Sequence, residues 1–132
     1  MDQEILYKAQ YLEKSSQEAQ ANLQFVNAQI EELEKFKQNL SDLDKSSAKE
    51  MLSSVGKGVY AKTELKDKNL FVDVGSGIIV KKTPEQTKKV LETQIKTLMQ
   101  AKIQITSQIE SYTNSLMELM NEIQKLKSSS KK

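Results

Sequence analysis

Val55–Lys82 reads VGKGVYAKTELKDKNLFVDVGSGIIVKK, and its composition differs from everything around it. It contains all four glycines, Gly56, Gly58, Gly75 and Gly77, and the densest run of β-branched and aromatic residues. The flanks lack glycine and are rich in Gln, Glu, Lys, Leu and Ile. This contrast predicts a small β module with one helical arm leading in and one leading out. Within the module, Val59, Ala61, Thr63 and Leu65 alternate with Tyr60, Lys62 and Glu64, the pattern of a half-buried strand. Lys66-Asp67-Lys68-Asn69 reads as a polar turn, after which Leu70, Val72 and Val74 alternate with Phe71 and Asp73. Gly75-Ser76-Gly77 supplies a second tight turn, since glycine takes positive φ without steric cost, and Ile78, Ile79 and Val80 open another strand. With a short strand at Met51–Val55 turned at Gly56-Lys57-Gly58, residues 48–82 make two hairpins. A lone hairpin is marginal in water. The apolar strand residues, Val55, Val59, Tyr60, Ala61, Leu65, Leu70, Phe71, Val72, Val74, Ile78, Ile79 and Val80, are therefore expected to form an oligomer interface.

The arms carry matching seams. In residues 1–47, Ile5, Leu12, Ala19, Val26, Leu33 and Leu40 recur every seven positions, and Ala9, Ser16, Leu23, Ile30 and Lys37 follow at steps of four. Alternating steps of four and three are the buried stripe of a coiled coil. No Pro or Gly interrupts it before Val55, and forty helical residues reach on the order of 60 Å. Thr83-Pro84-Glu85-Gln86 opens the second helix, residues 83–128: Thr83 caps, Pro84 suits the first helical position and Gln86 completes a capping box. Leu91, Leu98, Ile105, Tyr112, Leu119 and Leu126, with Ile95, Lys102, Ile109, Leu116 and Ile123, repeat the same seam, and a frayed tail is expected at 129–132. If the chain folds back, facing positions sum to about 131, and the bulky Tyr112 meets the small Ala19. The expected fold class is α+β, mainly α: a long antiparallel two-helix coiled coil joined by two hairpins, all within one domain.

Composition excludes much. A chain of 132 residues with 37% hydrophobic and 29% charged residues is thin for a compact globule and suits wet helices. The absence of Cys and His removes disulfides, thiolate metal sites and the usual general base, so no catalytic or metal residue, no cofactor and no enzymatic activity are expected. Neither glycine pair fits a phosphate-binding pattern, and both read as turns. A net charge of +2 gives no reason to expect nucleic acid, and no apolar run is long enough to span a membrane. The start, MDQEILYKAQ, lacks the basic-then-apolar pattern of a signal peptide, so a soluble cytoplasmic protein is expected.

Apolar residues outside the seam gather near both chain ends: Leu6, Tyr7, Tyr11, Met117 and Met120. They widen the stripe where no third element covers it, which reads either as a binding surface or as local packing. Methionine suits a surface that accepts many shapes. Phe25, Phe36, Met99 and Ile103 also lie off the seam, and packing along the helices or against the β module is expected for them.

The order helix, two hairpins, helix resembles prefoldin, and more narrowly its archaeal α-type subunit. Val72–Glu85, VDVGSGIIVKKTPE, is similar to the family's VxVGxGxxVE segment running into a helix, and Val55–Tyr60, VGKGVY, to its VGxGxY turn. Two hairpins rather than one distinguish α-type from β-type subunits. Lys81 stands where the family often has Glu, and the isoelectric point of about 8.6 is basic where many archaeal members are acidic. The resemblance implies an ATP-independent holdase in which two α-type and four β-type subunits build a β-barrel platform carrying six coiled coils. Their tips, here Ile5, Leu6, Tyr7, Tyr11, Leu12, Leu116, Met117, Met120 and Ile123, would clasp unfolded clients and pass them to a group II chaperonin. The alternatives are a self-assembling structural subunit, as a ring or filament, and a generic coiled-coil tether. The tether leaves the β module without a purpose.

Overall fold

A computed structural model describes residues 3–47 and 49–130. The order is α1 (Gln3–Lys45), β1 (Glu50–Gly56), β2 (Val59–Glu64), β3 (Leu70–Asp73), β4 (Ile79–Lys82) and α2 (Pro84–Ser130). It is the expected class, two long helices joined by two antiparallel hairpins. The chain packs as two compact units, residues 1–31 with 96–132, and residues 32–95.

In the first unit, the stripe on α1 comprises Ile5, Ala9, Leu12, Ser16, Ala19, Leu23, Val26 and Ile30, all buried or half-buried. From α2 come Leu98, Ile105, Ile109, Tyr112, Leu116, Leu119 and Ile123, all half-buried. The small residues Ser16 and Ala19 are buried, whereas Leu23 and Ile30 are only half-buried. A pair of helices covers a short side chain completely and a long one only along its inner edge. Two seam positions depart from expectation. Lys102 is exposed while its neighbour Ala101 is half-buried, because an ammonium stays in water when a methyl group beside it can take its place. Leu126 is exposed. Leu12 and Leu119 line one hollow.

In the second unit, Leu40, Leu91 and Ile95 are buried, and Leu33 and Leu43 half-buried. Leu40 and Leu91 line one cavity, and Lys37 Nζ lies 3.4 Å from Glu92 Oε1. Full burial of a leucine contributes about 1.5–3 kcal/mol, whereas a partly exposed ion pair contributes about 0–1 kcal/mol. Leucines, not charges, hold this part of the helix pair.

Helix α1 stops two residues earlier than expected. Ser46 N–H donates to the Asp42 carbonyl at 2.9 Å, and Lys68 Nζ donates to the Asp44 carbonyl, so terminal acceptors are met by a backbone amide and a cation. Helix α2 begins with the reciprocal capping box: Gln86 N–H donates to Thr83 Oγ1 and Thr83 N–H to Gln86 Oε1, each at 3.1 Å. Pro84 and Thr87 are buried in its first turn. At its other end α2 continues through Ser129 to Ser130, where a frayed tail was expected; Lys131 and Lys132 lie outside the described residues.

The hairpins are two separate two-stranded sheets. In the first, Glu50 pairs with Glu64 and Ser54 with Tyr60, with an irregularity before Gly56 pairs with Val59. Thr63 Oγ1 donates to the Met51 carbonyl at 3.2 Å and lies 2.8 Å from Ser53 Oγ. In the second, Leu70 pairs with Lys82 and Asp73 with Ile79. Ile78 N–H donates to the Gly75 carbonyl at 3.0 Å, and the two central residues, Ser76 and Gly77, have φ of 53° and 76°. Positive φ at both central residues of this Gly75–Ile78 turn is the pattern of a type I′ turn, and Gly75, at φ 121°, leads into it. Asp73 Oδ1 accepts from Gly75 N–H at 2.9 Å and fixes the approach to it.

Candidate interaction surfaces

The hairpins hold almost no core of their own. Phe71 is 72% exposed, and Val55, Val59, Tyr60, Val74, Ile78, Ile79 and Val80 are exposed as well. Ala61 is exposed, while Leu65, Leu70 and Val72 are half-buried. The alternation in β2 therefore does not bury one face within the chain: only Thr63 is half-buried along that strand. The reason is physical, since a two-stranded ribbon has two faces and, among the described residues, no layer buries either face of β2. Leu70, Phe71 and Val72 join Phe36, Leu43 and Val90 in lining an apolar cavity of about 810 Å³.

Helix geometry sorts the remaining apolar residues. In an antiparallel pair, residues just after a seam position share one flank, and residues just before one share the other. Leu6, Met99, Ile103, Met117 and Met120 follow Ile5, Leu98, Lys102, Leu116 and Leu119, and all five are exposed. Tyr11 precedes Leu12 and lies on the opposite flank. There a hollow of about 680 Å³ is lined by Lys8, Tyr11, Ser115, Glu118, Glu122 and Lys125, each just before a seam position. Tyr7 is exposed and falls on neither flank but on the outer side of α1.

The nine tip residues thus do not form one patch. Ile5, Leu12, Leu116 and Ile123 are half-buried seam residues; Leu6, Met117 and Met120 share an apolar flank, and Tyr11 sits on a charged one. Sequence reasoning passed over Met99 and Ile103, for which packing was expected. Ile103 is instead 72% exposed and Met99 exposed, because only the seam of a two-helix pair is covered. Phe25 and Phe36 are exposed for the same reason, although Phe36 lines the cavity beside the second hairpin. The signal was in the spacing: Met99 and Ile103 stand one step after a seam position, Phe25 and Phe36 one step before one. Among the described residues, no cluster of acidic side chains could hold a metal ion, and no helix is long and apolar enough to cross a membrane.

Two long helices joined by two hairpins whose apolar side chains stay exposed define a coiled-coil class of protein. The profile of the prefoldin subunit family matches residues 12–129, and the chain belongs to that family. It is similar to prefoldin subunit alpha 2 of Thermococcus kodakarensis, with 30% identity over 84 residues, covering 63% of this chain and 59% of the relative. Prefoldin subunit alpha of Methanosphaera stadtmanae is 22% identical over 91 residues, covering 69% and 66%. The matched stretch therefore spans about three-fifths to two-thirds of these relatives. In fold, the chain is similar to a filamentous PFD from Methanocaldococcus jannaschii solved by cryo-EM, with a TM-score of 0.75 and 20% identity, covering 88% of this chain and 98% of that one.

Proposed function

We propose that this chain is the α-type subunit of an ATP-independent holdase. Its hairpins join those of β-type subunits, two α with four β, in an intersubunit β-barrel platform. The coiled coils clasp unfolded proteins and deliver them to a group II chaperonin in the cytoplasm. The observation that carries the reading is the exposure of Phe71, Ile78, Ile79 and their neighbours on strands with unpaired edges, which calls for partner strands. The client contact is assigned to the ends of the helix pair, where apolar side chains stand on helices whose backbone is already satisfied. Several such surfaces in one assembly hold a chain through effective concentration, while each single contact lets go readily. No step requires chemistry, nucleotide or metal.

The test is suppression of aggregation of a chemically unfolded protein, without nucleotide, by the assembled complex. Removing residues 1–11 and 117–132 should abolish protection while native mass shows the assembly intact; undiminished protection would place the client site elsewhere. A second reading, self-assembly into a ring or filament, draws on the same open hairpins. It is the conclusion if the chain alone forms large species and ignores a β-type subunit.

A further inference from the structure

Three of the four described methionines, Met99, Met117 and Met120, stand on the same flank of α2. Met117 lies eighteen residues after Met99, which is five full turns of helix, so the two project in the same direction. Met120 is one turn further on. All are exposed, at 48%, 59% and 63%, and Ile103 lies between them on the same side. Met51, at 41%, borders the cavity beside the hairpins instead. The chain has no Cys and no Trp, so thioethers are its only sulfur and the principal target of a mild two-electron oxidant.

We propose that Met117 and Met120, with Met99 as a slower third site, are oxidation sites through which peroxide releases the chaperone's grip. This rests on the client-binding reading above. A thioether sulfur lone pair attacks one oxygen of hydrogen peroxide and the O–O bond breaks. The sulfur leaves as sulfoxide, oxidised by two electrons, and the departing hydroxide takes up the hydroxyl proton as water. The product is a polar group with a strong acceptor oxygen, set where a flexible apolar side chain had been. Burying that oxygen against an apolar client segment without a donor is unfavourable. Helix and seam are untouched, because none of these side chains is part of the packed stripe.

The experiment treats the full chain, in its assembly, with hydrogen peroxide, quenches with catalase, and measures protection of guanidinium-unfolded citrate synthase. Peptide masses should show one added oxygen on Met120 and Met117 first, then Met99, and last on Met51. The concentration giving half-protection should rise by about tenfold, with unchanged helicity and native mass. The M117L/M120L variant carries no thioether at either position, so its half-protection concentration after peroxide should equal its own value before treatment, whatever that value is. Oxidised wild type that protects undiminished overturns this inference and leaves the client-binding reading standing. So does a leucine variant that loses protection to the same extent on oxidation. An untreated complex that never protects overturns both.

Discussion

The hairpins and the unseamed flanks of the helices both expose apolar side chains, but they do so on different backbones. On the hairpins, Val59, Phe71, Ile79 and Val80 are stiff, β-branched or aromatic, and sit on strands with unpaired N–H and C=O groups at their edges. Such a surface demands a partner of matching register, because backbone groups as well as side chains must be met. On the helices, Leu6, Ile103, Met117 and Met120 stand on a backbone whose hydrogen bonds are already made within α1 and α2. Under the proposed function, that surface asks a client only for apolar contact. Exposure alone is the same signal in both places. What separates an assembly face from a client-binding one, under the proposed function, is the state of the backbone beneath it.

Substitutions can sharpen this contrast. The largest effect on folding should come from the seam that both surfaces depend on. Leu40→Ala removes a buried side chain and should cost about 2–5 kcal/mol, read as a lowered denaturant midpoint. Next comes the type I′ turn: Gly77→Val places a β-branched residue at φ 76° and should cost about 1–3 kcal/mol. Under the proposed function its first sign should be weaker assembly, since the hairpin's apolar side chains are exposed and hold little of the chain's own core. Thr83→Ala breaks half of the capping box and should cost about 1 kcal/mol, read in the same denaturation curves. Glu92→Gln should be the smallest, at most about 0.5–1 kcal/mol, because its pair with Lys37 is open to solvent. A larger loss there would mean that charge, rather than leucine, holds that part of the seam.

Local chemistry made much of this fold readable. The capping box at Thr83 and Gln86, the turn at Ser76-Gly77 and the seven-residue recurrence of the seam each act within a few residues, so spacing reveals them. What spacing left open depends on who covers a face. The alternation of β2 predicts a buried side, yet among the described residues no layer buries it, and Val59 is exposed. Phe25 and Ile103 look like core by residue type and lie outside it, because two helices protect only one stripe each. The candidate tip residues were identified by their place along the chain. Their division between flanks appears once Leu12, Tyr11 and Glu118 are seen on a common hollow.

Assembly through the hairpins is tested most directly by native mass spectrometry of the chain co-expressed with a β-type prefoldin subunit, beside the double variant Phe71→Asp, Ile79→Asp. Both substitutions lie at exposed strand positions, so the monomer's helix pair should survive them, as circular dichroism would check. The expected result is a hetero-oligomer for the wild type and loss of it for the variant, because a carboxylate cannot be buried unpaired between strands. A wild-type chain that stays monomeric with its partner, or a variant that assembles equally well, would contradict the assignment of the hairpins as the assembly face.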